Sequence, residues 1–115
     1  MKPILFLLKP DFTDVNIQES QKFYCPSCAT IEGILSYYPH VKEQLDIRYV
    51  TFAKPRTEII KLIGEENQSC PVLVVSLDNE FATSFTIVGD KKITNEKMQI
   101  ATFLARQFNI GMWHP

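Results

Sequence analysis

The order of segments predicts a single α/β domain, a four-stranded mixed sheet with helices on both faces in the order β-α-β-α-β-β-α. Two observations lead to it. Ile4–Leu8 is a continuous apolar run, as a strand covered on both faces requires, and Val72–Val75 is a strongly β-prone run. Elsewhere apolar residues recur three and four positions apart, which is one face of a helix. The 115 residues suit one core, so residues 1–115 are read as one domain.

Ile4–Leu8 opens the sheet. Residues 9–22 are polar, acidic and aperiodic, and read as a long loop of a kind that is often functional. A helix is expected to begin at Cys25, with Pro26 at its first position, where a missing N–H costs nothing. Cys28, Ile31, Leu35 and Tyr38 form its buried face. Gly33 inside it suggests close packing, and Pro39 stops it, with His40 a solvated exit residue. Asp46–Phe52 reads as the second strand, alternating through Ile47, Tyr49 and either Val50 or Thr51. The first half is thus a parallel βαβ unit, right-handed by the crossover rule.

Pro55 and Arg56 open a second helix with Ile59, Ile60 and Ile63 inward and Gly64 as its C-cap. Pro71 precedes the strand Val72–Val75, a position where proline is tolerated. Asp78-Asn79-Glu80 reads as a turn and Phe81–Val88 as the return strand of a hairpin. Gly89 to Lys92 is a further turn, with Thr94 or Asn95 capping a last helix. That helix faces inward through Met98, Ala101, Leu104, Ala105 and Phe108, and ends at Asn109 and Gly111. Trp113 reads as a packing residue of the tail, with covering a groove as the alternative.

Composition narrows the function. Hydrophobic residues are 45% and charged residues 22%, an ordinary globular balance. A formal net charge of −1 supplies no field for nucleic acid. Ile4–Leu8 is too short for a signal-peptide core and lacks a cleavage site. No run is long enough to span a bilayer. The expectation is a cytoplasmic protein that works neither on nucleic acid nor in a membrane.

Three cysteines are too few for a secreted disulfide scaffold. In a reducing compartment, C-x-x-C beside a βαβ pattern is more often redox-active or metal-binding than structural. The Cys25-Pro26-Ser27-Cys28 motif places Cys25 where unpaired backbone N–H groups and the helix dipole favour a thiolate. Lys22 adds positive charge nearby. Cys28, one turn on, is positioned to attack a mixed disulfide held on Cys25. The plain alternative is two buried cysteines at that spacing by chance.

Cys70 precedes Pro71. In this topology Pro71 is expected to be cis and beside the dithiol. That expectation rests on the fold, since only about 5–6% of X–Pro bonds are cis. The Cys70 backbone then pairs with an extended substrate segment and its thiol approaches Cys25; otherwise Cys70 simply fills space. Zinc and iron–sulfur sites normally want four protein ligands. No fourth cysteine exists and neither His40 nor His114 stands at motif spacing, so no metal is assigned within one chain; a metal-thiolate dimer is a minor alternative.

Phe23-Tyr24-Cys25-Pro26-Ser27-Cys28 resembles a glutaredoxin active site, and Ser69-Cys70-Pro71-Val72 resembles the stretch that carries the cis-proline of the thioredoxin-like superfamily. Ser27 departs from the aromatic or histidine often found there, and residues 9–22 are longer than the usual turn. The resemblance implies a thioredoxin-like fold and thiol-disulfide exchange through Cys25 and Cys28. It implies substrate contacts at Tyr24, Cys70 and Pro71, and glutathione contacts at Arg56, Gly89 and Asp90; Arg56 otherwise reads as a surface arginine. Leu8 to Phe12, Phe23 to Cys25, Ile31 to Gly33 and Gly64 to Ser69 resemble a small bacterial family of unknown function with a C-x-x-C after a similar long loop. In that family's pattern leucine precedes the second proline, so Cys70 departs from it.

The expected activity is thiol-disulfide oxidoreduction on a disulfide-bearing protein or a glutathione mixed disulfide, with glutathione as reductant and no tightly bound cofactor. The alternative is a non-enzymatic binding or redox-sensing module that uses the loop at 9–22. Oligomeric state and the direction of electron flow are left open.

Overall fold

The computed structural model describes all residues from Met1 to Pro115. Its main sheet has five strands, in the order β4-β1-β5-β7-β6. These are β1 (Ile4–Leu8), β4 (Asp46–Val50), β5 (Val72–Ser76), β6 (Thr86–Val88) and β7 (Lys91–Thr94). β1 and β4 are parallel and every other pairing is antiparallel, so the sheet is mixed. The helices are α1 (Pro26–Tyr37), α2 (Pro39–Lys42), α3 (Thr57–Ile63) and α4 (Lys97–Phe108).

Side-chain alternation in β1 and β5 builds two cores. Leu5, Leu7, Leu73 and Val75 face α1 and α4, packing with Ile31, Leu35, Ile100, Phe103 and Leu104. Ile4, Phe6, Val72 and Val74 face the opposite side, packing with Ile59 and Ile63 of α3. Both central strands are covered on both faces, which is why they read as continuous apolar runs.

The strand count is five and not four, because the hairpin lies elsewhere than expected. β5 pairs with β7, not with residues 81–88. Only Thr86–Val88 of that stretch is a strand, and it pairs with β7 across the Gly89-Asp90 turn. Lys91 and Lys92 hid this strand by looking like a turn. Their stems run along the sheet while the ammonium groups reach Asp90 Oδ1 and the Asn79 carbonyl. Phe81 and Phe85 look strand-like but anchor turns against the core, Phe85 tilted on Phe103 at 5.6 Å.

The stretch at 9–22 is not bare loop. It holds a separate two-stranded ribbon, β2 (Phe12–Asp14) and β3 (Gln18–Phe23). Phe12 stacks flat on Phe52, centroids 4.3 Å apart, fastening the ribbon beside the end of β4. Pro39 does stop α1, but it also starts the single turn of α2. The N-cap of α4 is Glu96, because Thr94 lies within β7; its hydroxyl accepts from the Glu96 N–H at 3.2 Å. Gly33 is not closely packed, since a Cβ there would have nothing within 4 Å. No helix is long and apolar enough to cross a membrane.

Candidate functional site

The dithiol sits where the C-terminal end of β1 meets the N-terminal end of β5, strands held in register by Phe6 opposite Val72. Cys25 is the N-cap of α1 and its sulfur accepts the Cys28 N–H at 3.2 Å. A sulfur thus does the work that a serine or aspartate oxygen usually does at this position. Pro26 at the first helical position removes a competing donor. Cys25 is half-buried and Tyr24 beside it is 64% exposed, so the rim of the site is open to a partner.

Cys28 is 4% exposed and its sulfur accepts the Leu8 N–H at 3.5 Å. Burial, with a hydrogen bond that the Cys28 thiol donates to Cys25, drives that thiol far above the ordinary range. Both effects favour the neutral thiol over the thiolate.

Cys70 closes the third side. The Cys25 thiol lies 3.8 Å from the Cys70 carbonyl oxygen and donates toward it. The Cys70–Pro71 peptide bond is cis, as expected; Lys54–Pro55 is also cis, which the sequence did not signal. Burial pushes the Cys70 thiol up to about 11, against the opposing pull of the Arg56 guanidinium. Charge on Cys25 raises both other thiols, so the three sulfurs form one electrostatic group.

Arg56 is not a surface residue free to meet a carboxylate. It is 8% exposed. Nε and Nη2 donate to the Phe52 carbonyl at 3.2 and 2.7 Å, and Nη1 donates to the Gln68 carbonyl at 2.7 Å. The guanidinium therefore braces two loops from inside. Gln68 went unnoticed in the sequence, because its partner lies 12 residues away and no local pattern marks the pair.

Gly89 and Asp90 are not brought to the dithiol. They precede Lys91, which pairs with Ser76, at the far end of β5 from Val72. Four residues of strand separate those ends, about 13 Å. With Arg56 inward as well, none of the three residues expected to touch glutathione is presented beside Cys25. No group of three or more His, Cys, Asp and Glu side chains is arranged to hold a metal ion. A separate groove of about 550 Å³ runs between α1 and the C-terminal tail, lined by Ile34, Tyr37, Met112 and Trp113. Trp113 is 45% exposed there, so it borders a groove rather than filling the core.

Fold and site together define a small α/β domain with a cysteine pair at the start of a helix and a third cysteine facing it across the sheet end. The chain belongs to the family described as Protein of unknown function (DUF3088), which matches residues 2–112. No curated protein and no solved structure matches it.

Proposed function

We propose that this protein is a thiol-disulfide oxidoreductase of thioredoxin-like type, with Cys25 as nucleophile and Cys28 as resolving thiol. The observation that carries the reading is the Cys25 sulfur seated as the N-cap of a 12-residue helix, receiving the Cys28 N–H at 3.2 Å. A helix start stabilises negative charge by its dipole and unpaired donors. The mixed sheet with helices on both faces, and the Cys70-Pro71 segment flanking the dithiol, support the thioredoxin-like assignment.

In the forward step the Cys25 thiolate attacks a substrate disulfide and one substrate sulfur leaves as a thiolate. Cys28 then gives up its proton and attacks the Cys25 sulfur, expelling the second substrate thiolate. The substrate gains two electrons and the dithiol becomes a disulfide. A disulfide-bearing protein is the favoured substrate, since Tyr24 and the ribbon before it offer an open rim. Glutathione or a dedicated disulfide reductase restores the dithiol, and a reducing, cytoplasmic location fits three free thiols.

The test is incubation of wild type and Cys28→Ser with glutathione disulfide, followed by mass spectrometry. A glutathione adduct that forms on Cys25 in Cys28→Ser, where wild type goes on to a Cys25–Cys28 disulfide, supports the reading. An inert Cys25 in both proteins sinks it. The second reading, a binding or redox-sensing module, is favoured by the β2–β3 ribbon, whose tip exposes Val15 and Ile17. Under that reading Cys25→Ser leaves partner binding intact, while changes at Val15 and Ile17 abolish it.

A further inference from the structure

We propose that Cys70 is a third redox-active thiol, able to resolve Cys25 in place of Cys28 and to hold it in an alternative Cys25–Cys70 disulfide that closes the site. The inference rests on the dithiol reading above, and adds to it a self-blocking oxidised state.

Three independent features converge on Cys70. The first is position. The Cys25 thiol already lies 3.8 Å from the Cys70 carbonyl oxygen, although the residues are 45 apart in sequence. The second is access. Cys70 is half-buried, whereas Cys28 is 4% exposed and tied to the Leu8 N–H.

The third is Arg56, a buried cation that forms no salt bridge and spends its donors on two backbone carbonyls. Its uncompensated charge stands beside the Cys70 sulfur and opposes the effect of burial there. No cation serves Cys28; the Leu8 N–H favours its thiolate, but burial outweighs that bond. Of the two thiols able to resolve Cys25, Cys70 is thus the one provided with a countercharge.

The step balances with the same oxidant as the parent reaction. Cys25 thiolate attacks the substrate disulfide and releases one thiolate. Cys70 gives up its proton beside Arg56 and attacks the Cys25 sulfur. The Cys25–Cys70 bond forms, the Cys25–substrate bond breaks, and the second substrate thiolate leaves with the electron pair and takes up a proton. The product links the start of α1 to the segment before β5, so the Cys70 backbone no longer faces an open Cys25.

The two disulfides separate by mass. Trypsin cuts after Lys22, Lys42, Lys61 and Lys91, so Cys25 and Cys28 share the peptide 23–42 while Cys70 lies on 62–91. Cys28→Ser is treated with glutathione disulfide, quenched with iodoacetamide at intervals and digested without reductant. The expected result is a Cys25–glutathione adduct that gives way to a linked 23–42/62–91 pair. In Cys28→Ser/Cys70→Ser the adduct persists at least about tenfold longer. Overturning the proposal takes a stable adduct in Cys28→Ser with Cys70 fully alkylated, while wild type still forms its Cys25–Cys28 bond. If Cys25 takes up no glutathione in any of the proteins, the dithiol reading and this one fall together.

Discussion

Arg56 and Gln68 hold each other from both ends: the Arg56 backbone N–H donates to Gln68 Oε1 at 2.9 Å, and Arg56 Nη1 donates to the Gln68 carbonyl at 2.7 Å. Gln68 Nε2 in turn donates to the Glu65 carbonyl at 2.8 Å. The start of α3 and the segment leading to Cys70 therefore move as one piece.

Arg56→Met keeps the apolar stem and strands the carbonyls of Phe52 and Gln68. Leaving two buried acceptors unpaired costs about 2–4 kcal/mol. In a domain of this size that lowers Tm by roughly 10 °C or more. Calorimetry reads the shift, and Arg56→Lys recovers part of it by restoring a donor. An unchanged Tm in Arg56→Met shows the brace to be idle.

The thiols differ in reactivity and in their effect on stability. With iodoacetamide at pH 8, Cys25 is modified first, Cys70 later and Cys28 last, because burial raises the latter two. Equal rates for Cys25 and Cys28 contradict the buried resolving thiol. Folding also holds Cys70 protonated beyond its ordinary value of 9.0, up to about 11. Its contribution to stability is full below pH 9 and is lost as pH rises toward 11, since the unfolded thiol ionises first. Cys28 acts in the same direction over a wider range. Tm measured from pH 8 to 11 falls, and falls less steeply in Cys70→Ser.

Two glycines give opposite outcomes. Gly33 lies on the exposed side of α1, where a Cβ meets nothing within 4 Å, so Gly33→Ala removes a helix defect worth about 1 kcal/mol. Tm rises by about 4 °C. At Gly111 a Cβ would come 2.6 Å from Tyr38 Oη. Gly111→Ala pushes the tail off Tyr38 and shifts Trp113 emission to the red, with a smaller change in Tm. An unaltered spectrum means that the tail accommodates the methyl group.

Phe12 carries the ribbon. Its ring lies within 5° of parallel to Phe52, and Phe52 in turn receives the Arg56 guanidinium at 5.7 Å. Phe12→Ala removes a stacked pair worth about 0.5–1.5 kcal/mol. That lowers Tm by only a few degrees but releases the ribbon, so limited trypsinolysis after Lys22 accelerates more than cleavage elsewhere. Uniform acceleration at all sites contradicts a local fastening.

Features set by neighbours in the chain were legible in the sequence. Cys25 capping α1, Pro26 at its first position, Cys28, Ile31 and Leu35 on its buried face, and Gly64 ending α3 with φ of 94° all rest on contacts within a few residues. Continuous apolar runs marked β1 and β5 for the same reason: burial on both faces shows in every residue. Only the tertiary structure decided what depends on distant segments. Lys91 and Lys92 become part of an inner strand because β5 and β6 pair with them from either side, which their polarity concealed. Arg56 turns inward because carbonyls at Phe52 and Gln68 are waiting for it. Cys70 meets Cys25 across 45 residues because β1 and β5 are neighbours in the sheet. Local propensity can nominate each thiol; it takes the antiparallel pairing of two central strands to make them one group.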